Sequence, residues 1–229
     1  TPPLGFVISM EGADPILDPG HLGEWWEEGL RLLGLTHYGP GRYAGGTGTE
    51  VGLSGLAAPL LSEMARLGMI LDLTHCSDQA FWEALSHFPG RIIASLNNCR
   101  ALVPHQRAFS DDQIRAIVER DGIIGVAMDC WMIAPGWRHG DSNEKIGLGD
   151  VVNHIDRICQ LAGDCRHAAI GSDLDGGFGR EGSPHDLDTI ADLQQLASLL
   201  EARGYRRDDA AAIMHGNWAA LLRRAWTRG

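Results

Sequence analysis

The chain has 229 residues, 44% of them hydrophobic and 21% charged, enough apolar side chain for one sizeable core and too much for a disordered tract. Nineteen Lys and Arg against thirty Asp and Glu give a formal net charge of −11, which argues against a phosphate-binding, nucleic-acid role, and no basic cluster offsets it. No apolar run reaches the ~20 residues that a bilayer span needs.

Six short apolar runs read as buried strands, at residues 5–10, 31–36, 69–74, 91–96, 122–128 and 168–172. Helical patterns lie between and after them. Residues 56–67 have helical apolar spacing and stop at Gly68. Residues 78–88 follow Ser77, a good N-cap, and residues 111–120 follow Ser110, with Asp112 and Gln113 in the first turn. Residues 150–161 and 186–202 repeat the theme, and residues 207–226 read as one or two terminal helices broken near His215 and Gly216.

Strand–helix alternation predicts an α/β fold with a parallel sheet. Its closed form is the (β/α)8 TIM-type barrel; the open form is a doubly wound sheet, and the nucleotide-binding version lacks its glycine motifs here. Six strands fall short of eight, so the expectation is a single barrel domain over residues 1–229, incomplete at its N-terminus. The chain opens Thr-Pro-Pro-Leu-Gly without an initiator Met, and a preceding segment is expected, so the lack of a visible signal peptide says little. The Gly-rich stretch 39–55 is long for a connection, and long loops after barrel strands often line the active site. The cysteines Cys76, Cys99, Cys130, Cys159 and Cys165 are odd in number and form no CxxC pair, which fits reduced thiols and a cytoplasmic location.

The polar residues at the strand ends carry the chemistry. Glu11 ends the first run, His37 the second, His75 the third and Asp173 the sixth. In a parallel barrel such ends meet on one face, and Glu, His and Asp suit Zn²⁺ or a similar divalent ion. A single strand-end histidine is more often a hydrogen-bonded structural residue; four such residues on separate strands favour metal or acid–base chemistry.

The segments SMEGAD, LGLTHYGPG, ILDLTHCSDQAFWEAL, ASLNNCRALVPHQRAFSDDQI, AAIGSDLDGGFG and HGNWAALLRRAW, in this order, resemble those of the membrane (renal) dipeptidase family, zinc metallopeptidases on an amidohydrolase-like barrel. The resemblance implies that Glu11 bridges two zinc ions and that His75 ligates the second. It implies that His37 stabilises the oxyanion, that Arg107 clamps the substrate carboxylate, and that Asp173 moves protons between water and the leaving amine. Two departures stand out. The family's His-x-Asp pair from the first strand has no counterpart here, and Leu96 stands where the family carries a second histidine ligand. Leucine offers no lone pair, so zinc occupancy is in question.

The expected function is zinc-dependent hydrolysis of dipeptides. The alternatives are an inactive relative with a degraded metal site, and an amidohydrolase acting on another small carboxylate-bearing amide or lactone. The expected partner is a small dipeptide, with no nucleic acid and no membrane span; a homodimer is compatible. Among further residues, Tyr38 and Tyr43 are candidates to shape the substrate pocket. Asp72 is a candidate support for His75, and Asp129 and Asp175 are candidates to line the site. His154, His167 and His215 read as structural or surface residues, and the tryptophans as packing.

Overall fold

Most of the apolar runs form strands buried on both faces, as their Ile, Leu and Val content suits; the first, at Ile8–Met10, is largely exposed. A computed structural model of the chain describes residues 5–174 and 176–226. They fall into two compact units, one reaching Ile93 and one beginning at Ala94.

In the first unit, β1 (Ile8–Met10), β2 (Leu30–Gly34), β3 (Ile70–Asp72) and β4 (Ile92–Ala94, its last residue the first of the second unit) lie side by side in chain order, each pairing parallel to the next. The register sets Met10 level with Leu33, Gly34 with Asp72, and Asp72 with Ile93. The residues that follow β1, β2 and β3 therefore emerge at one end of the sheet. Three helices accompany these strands: α1 (Leu22–Glu27), α2 (Ala57–Leu67) and α3 (Asp78–His87). Helix α2 buries Leu60, Leu61 and Met64 and ends at Gly68, whose φ of 76° closes the helix in the left-handed region. Ser77 caps α3, its Oγ accepting the Ala80 amide at 3.0 Å. Leu33, Leu61, Leu71, Phe81 and Ile92 are fully buried and form part of the core.

In the second unit, β5 (Ile123–Val126) and β6 (Ala168–Ile170) pair parallel, with Val126 level with Ile170. The segment after β4 joins them, the Asn97 amide donating to the Gly125 carbonyl at 2.7 Å. A Cβ added at Gly125 or at Gly171 would run into the Ser95 carbonyl oxygen, so only glycine permits this approach. The helices are α4 (Asp111–Glu119), α5 (Cys130–Ile133), α6 (Leu148–Ala162), α7 (Gln195–Arg203), α8 (Arg207–Ala211) and α9 (Asn217–Trp226). Asn217 and Trp218 fasten α9 to β6: Nδ2 of Asn217 donates to the Ala168 carbonyl at 2.8 Å, and Nε1 of Trp218 to that of Ile170 at 2.9 Å.

The parallel α/β class is as expected; five strands lie within the expected runs, and β2 begins one residue before its run, at Leu30. One helix differs from expectation. Residues 186–202 form no single helix: Ile190–Gln194 is a 3₁₀ turn and the α-helix begins at Gln195. The expected break near His215 is there, as a π-turn, Ala212–Gly216, that joins α8 to α9. All five cysteines are free thiols, and burial pushes those of Cys76, Cys99, Cys130 and Cys159 up to about 12. Among the described residues no helix is long and apolar enough to cross a membrane.

Candidate metal centre

Glu11 follows β1 directly, and His37 and His75 each come three residues after β2 and β3. The shared register brings them together: one ligand atom from each of the three lies within 4.8 Å of the others. His75 Nε2 is 3.1 Å from one Glu11 carboxylate oxygen, and His37 Nε2 is 3.8 Å from the other. His75 is buried, whereas the Glu11 and His37 side chains are about half exposed, at 45% and 51%. The cluster thus has a closed floor and an open mouth. Tyr38 sits at that mouth, its ring edge-on to His37 at 4.8 Å and to His75 at 5.0 Å between centroids, and it is 54% exposed.

Thr47 holds the His75 ring: its hydroxyl lies 3.1 Å from Nδ1 and 3.3 Å from the His75 carbonyl. With the ring proton on Nδ1, Nε2 faces Glu11 with a bare lone pair. Two electron-rich atoms 3.1 Å apart repel unless a cation or a proton sits between them. Three N/O donors on one side of such a gap fit a divalent ion of the zinc kind.

The backbone at His75 is held in the left-handed region, at φ 67°, and that at Asp173 lies at φ 57°. For a non-glycine residue this costs of order 1–3 kcal/mol, a strain that clusters at functional sites. It is not confined to them here: Asp121, just past α4, has φ 53°.

Sequence reasoning missed Thr47. It is 28 residues from His75 and lies in the Gly-rich stretch, where no periodicity marks it. The glycines explain how it arrives. A Cβ at Gly46 would collide with the His37 carbonyl oxygen, so the loop folds back tightly enough for the Thr47 amide to donate to that carbonyl at 3.0 Å. Asp72, the expected support for His75, has its Oδ1 on the Thr74 amide at 3.0 Å and shapes the turn leading into His75. Tyr43 is fully buried with its hydroxyl on the Ile16 carbonyl at 2.5 Å, a core residue and not a pocket wall.

Arg107 and Asp173 belong to the second unit. Arg107 is 3% exposed, and its Nη2 donates to the Leu96 carbonyl at 2.8 Å. Asp173 follows β6 by three residues and is half-buried. Asp175 lies outside the described residues. His154 is fully buried; its Nδ1 accepts the Cys99 amide at 3.0 Å, and Nε2–H points to the Ile133 carbonyl at 3.3 Å. Burial pulls its pKa down to about 4, so it is a neutral clamp on the segment after Asn97 and Asn98. His167 is likewise buried, with Nδ1 against the Gly122 carbonyl at 2.8 Å. His215 is exposed.

The sequence matches the family model of the membrane dipeptidases, peptidase family M19, over residues 3–227. It is 30% identical to an uncharacterised protein encoded 5′ of pqqA in Klebsiella pneumoniae, over 97% of this chain and 83% of that protein. It is also 30% identical to dipeptidase aclJ of Aspergillus oryzae, over 96% of this chain and 51% of that one. A crystal structure of a metallopeptidase from Rhodobacter sphaeroides, liganded with a phosphinate mimic of the dipeptide L-Ala-D-Ala, superposes with a TM-score of 0.85 at 28% identity. That match covers 96% of this chain and 63% of the Rhodobacter chain. The chain thus spans about half of the fungal dipeptidase and less than two thirds of the solved metallopeptidase. With the match running almost from end to end, the chain belongs to the membrane dipeptidase family, peptidase family M19.

Proposed function

We propose that this chain is the greater part of a zinc-dependent dipeptidase built on one hydrolase barrel, and that it acts in the cytoplasm. The observation that carries the reading is the convergence of Glu11, His37 and His75 within 4.8 Å. Family membership supports metal dependence, and the relatives named as dipeptidases support a peptide substrate. The buried free thiols support a reducing compartment.

Glu11 and His75 would hold the ion, with Thr47 fixing the His75 ring. A divalent ion there supplies Lewis-acid polarisation of a scissile carbonyl and makes water acidic enough to attack near neutral pH. His37, nearer the mouth, faces the carbonyl oxygen and donates to the negative charge that develops on it. Asp173 takes the proton from the attacking water and returns it to the leaving amine. Arg107 pairs its planar guanidinium with the substrate's C-terminal carboxylate.

Leu96 favours a second reading, a relative that keeps the fold but holds metal weakly. One experiment separates them: metal content and turnover of a dipeptide panel, for the wild type and Leu96→His. The peptidase reading expects bound Zn²⁺ and hydrolysis by the wild type, and tighter metal binding in the variant. A metal-free wild type with no turnover, restored by the added imidazole, supports the weakened relative. Zinc affinity unchanged in Leu96→His contradicts the match at that position.

A further inference from the structure

His75 and the threonine that holds its ring come from different stretches of the first unit, and both stretches lead to Glu83. His75 is followed at once by Cys76, by the Ser77 cap and by α3, which carries Glu83. Thr47 lies in the Gly-rich loop, and that loop doubles back on itself. The Gly45 amide donates to the Gly52 carbonyl at 2.9 Å, the Ser54 amide donates to the Tyr43 carbonyl at 2.8 Å, and Ala44 pairs antiparallel with Leu53. The inner limb, residues 43–47, ends at the metal centre, with the Thr47 amide on the His37 carbonyl and the Thr47 hydroxyl beside His75 Nδ1. The outer limb, residues 51–54, lies against α3.

Glu83 seats the outer limb. Its Oε2 accepts the Leu53 amide at 2.6 Å, and its Oε1 accepts Nε2 of Gln79, one turn back along α3, at 2.8 Å. A Cβ at Gly52 would lie 2.3 Å from Oε2, so the carboxylate rests directly on the loop backbone, where only glycine leaves room for it. The Leu53 amide and Gln79 hold the carboxyl below the usual carboxylate range, so it is charged at neutral pH. Ser77 ties the same two stretches nearer to His75, its amide donating to the Gly45 carbonyl at 2.9 Å and its Oγ to the Val51 carbonyl at 2.6 Å. Those bonds join neutral groups, whereas the Glu83 bond is charge-assisted, a kind about twice as strong. Thr47 is thus fixed to Leu53 across the loop, and Leu53 to the helix that starts just past His75.

We propose that Glu83 is a positioning residue for the metal centre: by locking the Gly-rich loop to α3 it keeps the Thr47 hydroxyl against His75 Nδ1, and so sets how tightly the ion is held. The inference rests on the metal centre at Glu11 and His75 and is independent of the substrate. Glu83 is not itself a ligand. An anchor that served only the fold would change stability without changing the affinity of the folded protein for metal. A positioning residue changes that affinity, and does so only while Thr47 is there to be positioned.

The test is a Co²⁺ titration of the full-length protein followed by visible absorption, with melting curves to show that each variant is folded at the working temperature. Glu83→Ala is expected to weaken Co²⁺ binding about 10-fold, the low end of the effect of losing a ligand's hydrogen-bond partner. Gly52→Ala pushes the carboxylate off Leu53 and leaves α3 untouched. It is expected to weaken binding equally, and it decides the matter if Glu83→Ala does not fold. Glu83→Gln, whose amide oxygen can accept from Leu53, is expected to stay within about three-fold of the wild type. In a Thr47→Val background, either alanine variant is expected to change the affinity by less than about two-fold, because the group it positions is gone. Wild-type affinity in Glu83→Ala and Gly52→Ala overturns the proposal, as does a loss in Glu83→Gln as large as in Glu83→Ala, or the full loss in the Thr47→Val background. A wild type that binds no Co²⁺ overturns the metal centre itself and the proposal with it, an outcome seen without any variant.

Discussion

Thr47 ties the residue scale to function most directly. Its hydroxyl holds the His75 ring at Nδ1, so its removal should act on metal affinity more than on folding. Thr47→Val is expected to weaken Zn²⁺ binding about 10- to 100-fold in a chelator-competition titration. Asp173→Asn is expected to lower kcat roughly 10²- to 10⁴-fold with metal content unchanged, the pattern of a lost proton carrier and not of a lost ligand. The raised Asp129 carboxyl fixes the sign of a pH effect. The folded state binds that proton more readily than the unfolded chain, so this group's stabilising contribution is present below the unfolded pKa and is lost as pH rises through the raised value. Asp129→Asn is therefore expected to raise Tm at neutral pH, with the gain vanishing near pH 4, by calorimetry at both values. Glu11, His37 and His75 were legible because each is a polar residue just past an apolar run. Thr47 was not, because its role depends on a loop folding back, which composition does not encode. Tyr43 was misjudged because a loop tyrosine reads alike whether it faces solvent or core.

At the scale of elements, caps and close approaches were readable, and very short helices were not. Ser110 and Gln113 form the capping box that their spacing suggests: Ser110 Oγ accepts the Gln113 amide at 3.3 Å, and Gln113 Oε1 accepts the Ser110 amide at 2.9 Å. Ser110→Ala is expected to cost about 1 kcal/mol in chemical denaturation. Helices α1 and α5, at six and four residues, are too short to show a 3.6-residue period and escaped notice. The Gly125 and Gly171 contacts also lay hidden, since only the fold brings Ser95 against them. Alanine at either site is expected to destabilise the chain by more than about 2 kcal/mol, or to block its folding, because the neighbour is rigid backbone.

For the whole molecule, the parallel class was legible from strand–helix alternation, and the strand ends pointed to a site before any coordinates. The number of strands and the closure of a barrel were not readable to the same degree, since both depend on what pairs with the ends of the described sheet. Metal linked to the native state should stabilise all of it: Zn²⁺ at 100 times its Kd adds about 2.7 kcal/mol. The most direct measurement is the visible absorption of the chain titrated with Co²⁺, for wild type and for His75→Ala. The expected result is a saturable d–d band from an imidazole–carboxylate site in the wild type, with loss of tight binding in the variant. No band in the wild type, or the same band and affinity in His75→Ala, would contradict a metal centre held by Glu11 and His75.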